Sequence, residues 1–206
     1  MARKDDYENA FKLAAKELGA KDPVLVAELA GCAHDPEARG VRLEFIGRPH
    51  LVSFPEIDVR PADGGDEVPL TEKVLILHYL NQANGAPVKN EAVTYRETPS
   101  GEFYYQAFYK RAEAPLVSAF GPDPELLPRT APKIGGRPEE GMGDAAARFQ
   151  ALPRVPVTLV VWGGDEEFEP SGNILFDRSI QNYLSAEDIA WLSGMIVYRL
   201  MRLAKT

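Results

Sequence analysis

Three consecutive carboxylates, Asp165, Glu166 and Glu167, lie in the run Trp162-Gly163-Gly164-Asp165-Glu166-Glu167-Phe168, directly after a nearly continuous apolar stretch from Val155 to Trp162. Like charges held side by side repel, so a loop that keeps them together favours a divalent cation, a basic side chain or one shared proton. The expectation is that these side chains turn inward, towards something positive. The plainer alternative is an acidic turn dissolved in solvent.

The three histidines, His34, His50 and His78, do not cluster, and none sits in a His-Glu-x-x-His pattern, which argues against a zinc enzyme. His78 falls on the apolar side of an expected helix, where a neutral ring needs a hydrogen-bond partner or a ligand; a satisfied core histidine answers the same pattern. Arg96-Glu97 and Arg111 flank the aromatic run Phe103 to Tyr109, so guanidinium donors could meet a phosphate or carboxylate above stacked rings. Internal salt bridges and ordinary core aromatics are the alternative. Cys32 is the single cysteine, which excludes an intrachain disulfide and a four-thiolate cluster and fits a reducing compartment. Its neighbour His34 is too close along the chain to activate it readily. No nucleophile elbow, phosphate loop or dinucleotide fingerprint occurs.

The elements that would position these residues are legible in outline. Apolar residues spaced by three and four mark a helix over Tyr7 to Leu18, and Asp22-Pro23 opens a second that closes at Gly31. Alternation over Val41 to Phe45, a turn at Gly47-Arg48-Pro49 and the run Leu51 to Phe54 read as a hairpin. A helix begins at Thr71, a strand covers Val93 to Arg96, and the aromatic run is helical up to Pro115, followed by a short helix to Phe120. Residues 121–143, rich in proline and glycine, read as a long surface loop without regular structure. Asp144 to Leu152 fits helix or strand, Val155 to Trp162 fits a buried central strand, and Asn173 to Phe176 fits another. Ser185 caps a final helix. The fold class implied is α+β: one domain over 1–206, mostly antiparallel sheet packed against helices, with a helix at the C-terminus.

Composition bounds the partners. A net charge of -8 with scattered basic residues argues against nucleic acid, and 45% hydrophobic content supports a folded core. The charged start, Met1 to Asp6, and the lack of a long apolar stretch give the expectation of a cytoplasmic protein with no membrane span.

The segments Arg42 to Arg48, Leu77 to Leu80, Tyr95 to Glu97 with Gly101, Leu152 to Pro156, Trp162 to Phe168 and Asn173 to Asp177 together resemble the domain of unknown function 3786 family. The Trp162 to Asp177 stretch is the most specific part of a resemblance that runs from Tyr7 to Leu200. The family has no established activity, and its members are found in anaerobic bacteria and archaea. Some relatives carry an iron-sulfur label, which Cys32 alone cannot support on this chain. The resemblance implies that His78, Arg96, Glu97, Asp165, Glu166 and Glu167 occupy family motif positions, and these are the candidate ligand-binding residues. No catalytic residue, metal ligand or cofactor is assigned. A reader of signalling enzymes will see the Gly-Gly-Asp-Glu-Phe hairpin of diguanylate cyclases, but an extra glutamate shifts the register and the upstream metal-binding strand is missing.

The functional expectation is a small-molecule or metal-cofactor binding protein, accessory to an anaerobic redox or corrinoid system and its protein partner. One alternative is a metal-assisted hydrolase or transferase, with the carboxylates holding magnesium or manganese and His78 as base. Another is a structural partner in a larger complex.

Overall fold

The structure, a computed structural model, describes residues 4–205; Met1 to Arg3, at the charged start read above, and Thr206 lie outside them. Helix α1, Lys4–Gly19, carries Asp5 and Asp6 in its first turn and Lys16 in its last, which complements the helix dipole at both ends. It buries Ala14 and Leu18, and the Asn81 side chain donates 2.9 Å to the Ala14 carbonyl, tying it to helix α3, Leu70–Gln82. Helix α2, Pro23–Ala30, has the stop signals read from the sequence: Asp22 accepts from Val24 N at 2.9 Å, and Gly31 ends it at φ 66°.

Two antiparallel sheets follow. The first runs β1 (Ala33–Asp35), β2 (Gly40–Phe45), β3 (Arg48–Ser53) and β4 (Val59–Pro61), in that spatial order. The β2–β3 turn is Ile46-Gly47, at φ 46° and 70°, so Arg48 and Pro49 belong to β3 and not to the turn. A β-branched residue at positive φ needs compensation. Ile46 finds it by burying its side chain and donating its N–H 2.9 Å to the Ala151 carbonyl, which joins the hairpin tip to the second sheet.

Helix α3, Leu70–Gln82, is buried along most of its length, with Val74, Leu75, Ile76, Leu77 and Tyr79 fully enclosed. The second sheet has the order β5-β9-β8-β7-β6, from Ala92–Thr94, Ser171–Asp177, Val155–Trp162, Ala145–Leu152 and Gly136–Pro138. Strand β8 is central and buried from Val155 to Val161, as its unbroken apolar run requires. The ambiguous stretch before it is β7. Strand β5 is shorter than expected, because Thr94 and Glu97 form a reciprocal capping box that turns Tyr95–Glu97 into a 3-10 turn.

The aromatic run begins a helix that continues through α4 (Gly101–Phe108), a π turn (Tyr109–Glu113) and α5 (Ala114–Phe120). Residues 121–143 are more regular than their composition suggests. Helix α6 (Leu126–Thr130), a 3-10 turn (Ala131–Ile134) and edge strand β6 occupy much of the segment, with Leu127, Thr130 and Ala131 buried. Prolines are tolerated there because Pro128 and Pro132 sit in first turns, where N–H groups have no intrahelical acceptor, and Pro138 ends an edge strand. Helix α7, Ala186–Leu203, starts at a Ser185–Asp188 capping box and closes the chain. One core joins the residues of both sheets to α1, α3 and α7, giving a single α+β domain.

Candidate functional site

A histidine–carboxylate pair at an open surface joins α3 to the first turn of α7. His78 Nδ1 donates to Asp188 Oδ1 at 2.7 Å. Asp188 is 4% exposed and is held from three further directions: Ser185 Oγ donates at 2.6 Å, Ser185 N at 3.3 Å and Gln82 Nε2 at 3.3 Å. Burial pushes Asp188 up, but the bonds from His78 and Ser185 outweigh it and hold its carboxyl below the usual range. The Asp188 bond raises His78 above its ordinary value against the pull of burial, with the charges of Asp188, Glu187 and Glu17 adding to the rise. A carboxylate acceptor requires the proton on Nδ1, which leaves Nε2 as the nitrogen available to a ligand.

The residue itself lines a groove. A cavity of about 370 Å³ is lined by His78, Gln82, Asp188, Asp6, Glu187 and the half-buried rings of Tyr7 and Trp191. A larger one, about 700 Å³, shares Tyr7, Glu187 and Trp191 with it and extends to Thr71, Arg111, Met195 and Tyr198. Tyr7 from α1 stacks on Trp191 from α7, with centroids 5.0 Å apart and planes at 21°. Arg111 enters from the π turn, whose extra backbone residue re-aims its side chains. Gly194 makes the close approach possible: a β-carbon there would stand 3.1 Å from Arg111 Cγ and 3.3 Å from Arg111 O.

Of the residues expected from sequence, His78 lies in the smaller part of this groove and Arg111, read as a possible anion contact, in the larger. Arg96 stacks over the Tyr105 ring at 3.8 Å and pairs with Glu102 at 3.3 Å, which is the internal arrangement weighed against an anion site. Glu97 is spent on the capping box, accepting from Thr94 N at 2.8 Å. Asp165 folds back on its own loop, accepting from Glu167 N and Phe168 N at 2.8 Å, and those bonds hold its carboxyl below the usual range. Asp165, Glu166 and Glu167 are all exposed, so the inward arrangement expected of them does not occur. Among the described residues no hydrogen bond connects them with His78, and none of them lines its cavity. Among the described residues, no three His, Cys, Asp or Glu side chains are grouped to hold a metal ion.

A separate cavity of about 340 Å³ beside β1 and β2 is lined by Cys32, Arg42 and Gln150. Burial pushes the Cys32 thiol up to about 12, which removes the thiolate needed for nucleophilic chemistry. Arg42 is engaged by Asp35, and Gln150 by the carbonyls of Leu152 and Pro153.

Asp188, Tyr7 and Trp191 escaped the sequence reading. Asp188 is the capping-box partner of Ser185, and nothing local links it to a histidine on another helix. A usable signal did exist: Asp188, Trp191, Met195 and Tyr198 recur at helical spacing, placing a carboxylate and two aromatics on one face.

The fold and groove thus define a single α+β domain with a carboxylate-oriented imidazole at a partly open cavity. The chain belongs to the family described as Domain of unknown function (DUF3786), whose sequence pattern matches residues 22–199. No curated protein and no solved structure matches it. No helix of the described residues is long and apolar enough to cross a membrane.

Proposed function

We propose that this protein binds a small molecule in the groove between α1, α3, the π turn and α7, with His78 Nε2 as its central polar contact. The observation that carries this reading is the fixed His78–Asp188 pair opening into a cavity walled by two stacked aromatic rings. Binding sites combine such apolar walls with a few oriented polar groups. Asp188 sets the tautomer of His78 by accepting its Nδ1 proton, as carboxylates behind functional histidines do. The cytoplasm is the location this reading takes, from the single cysteine; an accessory role in anaerobic metabolism rests on the family resemblance alone. A metal-assisted reaction lacks a donor set around His78 among the described residues.

The test uses the two tryptophans. With Trp162→Phe, Trp191 becomes the sole indole reporter, and a library of polar metabolites is titrated against its fluorescence and against the His78 ring signals in NMR. At least one compound is expected to shift both, and His78→Gln to weaken it. Ligands that leave Trp191 and His78 unmoved, or a silent library, would overturn the reading.

A further inference from the structure

We infer that the groove takes a small aromatic anion, its carboxylate or phosphate held by Arg111 and its ring lying against Trp191. This rests on the proposal that the groove binds a small molecule, and it adds the chemical class.

Arg111 carries the argument. Its side chain is exposed, lines the larger cavity and, like that of Arg39, Arg48 or Arg148, forms no ion pair among the described residues. Its position is set by structure, since the π turn aims it and its stem rests on Gly194. A guanidinium held at a cavity wall offers a planar fork of donors suited to carboxylate or phosphate.

The carboxylates nearby divide the groove. Asp188 is consumed by His78, Ser185 and Gln82, and Asp6 lines only the smaller cavity. Glu187 faces both cavities and forms no ion pair among the described residues. Its charge penalises any anion that has only electrostatics to offer. An inorganic ion therefore gains too little, while an aromatic anion adds contact with the Trp191 face. Tyr7 holds that face from the first turns of α1, so a bound ring displaces Tyr7 or slides beside it.

The experiment titrates the W162F protein with benzoate, phenyl phosphate, benzamidine and inorganic phosphate, following Trp191 fluorescence. Benzoate or phenyl phosphate is expected to bind and the other two to leave the signal flat; comparing the two organic anions tells carboxylate from phosphate. R111Q should weaken the anion by about tenfold or more, and E187Q should tighten it by roughly threefold. Far-ultraviolet circular dichroism on each variant confirms that it is folded, and R111K supplies a second variant that keeps the charge without the fork. Benzamidine binding in preference to the anions, or R111Q binding them as well as the parent, overturns the inference while leaving the groove proposal standing. Silence towards all four probes also overturns it, and the metabolite titration then decides separately whether the groove binds anything.

Discussion

His78 and Asp188 lie 110 positions apart in the chain and 2.7 Å apart in the fold, and the same carboxylate that orients the imidazole also caps the helix it stands on. The two duties are compatible because a carboxylate has room for several donors. One oxygen takes the histidine, the other takes Ser185 and Gln82. The start of α7 and the face of α3 are thereby locked together, and stability and site geometry depend on one side chain.

The pair makes stability depend on pH in a defined direction. His78 is raised above 6.5 by folding, so its contribution is complete below about 6.5 and fades as pH rises through its folded value. Asp188 is lowered below 3.8, so its contribution is complete above about 3.8 and fades as pH falls through its folded value. The stability difference between the parent and H78Q, from urea unfolding, should be greatest between roughly pH 4 and 6.5 and shrink towards pH 9. Asp188→Ala, which also removes the cap, should cost about 3 kcal/mol at pH 6.

Asp177 supplies the matching test at the end of β9. It is 5% exposed and accepts from Lys89 N, Ser179 N, Ser179 Oγ and Glu91 N at 2.9, 2.9, 2.6 and 3.2 Å. Burial pushes its carboxyl up, yet these donors more than reverse the effect. Asp177→Ala strands the backbone donors that hold the approach to β5. A loss of about 3 kcal/mol is expected, seen as a fall of roughly 6–12 °C in Tm.

The acidic loop should be silent. Glu166 and Glu167 are exposed, and among the described residues neither forms an ion pair. The double variant E166A/E167A is expected to stay within about 0.5 kcal/mol of the parent in urea unfolding. Calorimetric titration with magnesium or manganese should show no difference between the two proteins. Asp165→Ala should cost more than the pair, because it removes the acceptor of Glu167 N and Phe168 N.

What the sequence revealed and what it concealed follow from the range of the forces involved. The caps at Asp22 and Ser185, the stop at Gly31 and the buried run of β8 are local or nearly so, and each was readable. The Pro/Gly-rich segment misled because proline excludes helix interiors but not first turns, and Leu127 and Ala131 found a core the composition could not announce. Carboxylate density pointed to Asp165, Glu166 and Glu167, while the pair with an oriented partner was His78–Asp188. Density is visible along a chain; convergence of α1, α3 and α7 on Trp191 is a tertiary event without a local trace. His78 was found because an apolar helix face made its need for a partner visible, although not which partner.

Gly194 gives the sharpest separation between fold and site. It lies within α7, where glycine is ordinarily less favourable than alanine by about 1 kcal/mol. A β-carbon there would stand 3.1 Å from Arg111 Cγ and 3.3 Å from Arg111 O, so the π turn must yield by a few tenths of an ångström. Helix propensity and crowding act in opposite directions, and Gly194→Ala is expected to change global stability by less than about 1 kcal/mol. Arg111 has no such compensation, since a shift of its stem re-aims the guanidinium at the cavity wall. Binding of the aromatic anion should weaken by roughly threefold to tenfold with Tm nearly constant, measured by Trp191 fluorescence and thermal unfolding on the same sample. A large loss of stability would mean that Gly194 serves packing first, and unchanged affinity would mean that the position of Arg111 does not govern recognition.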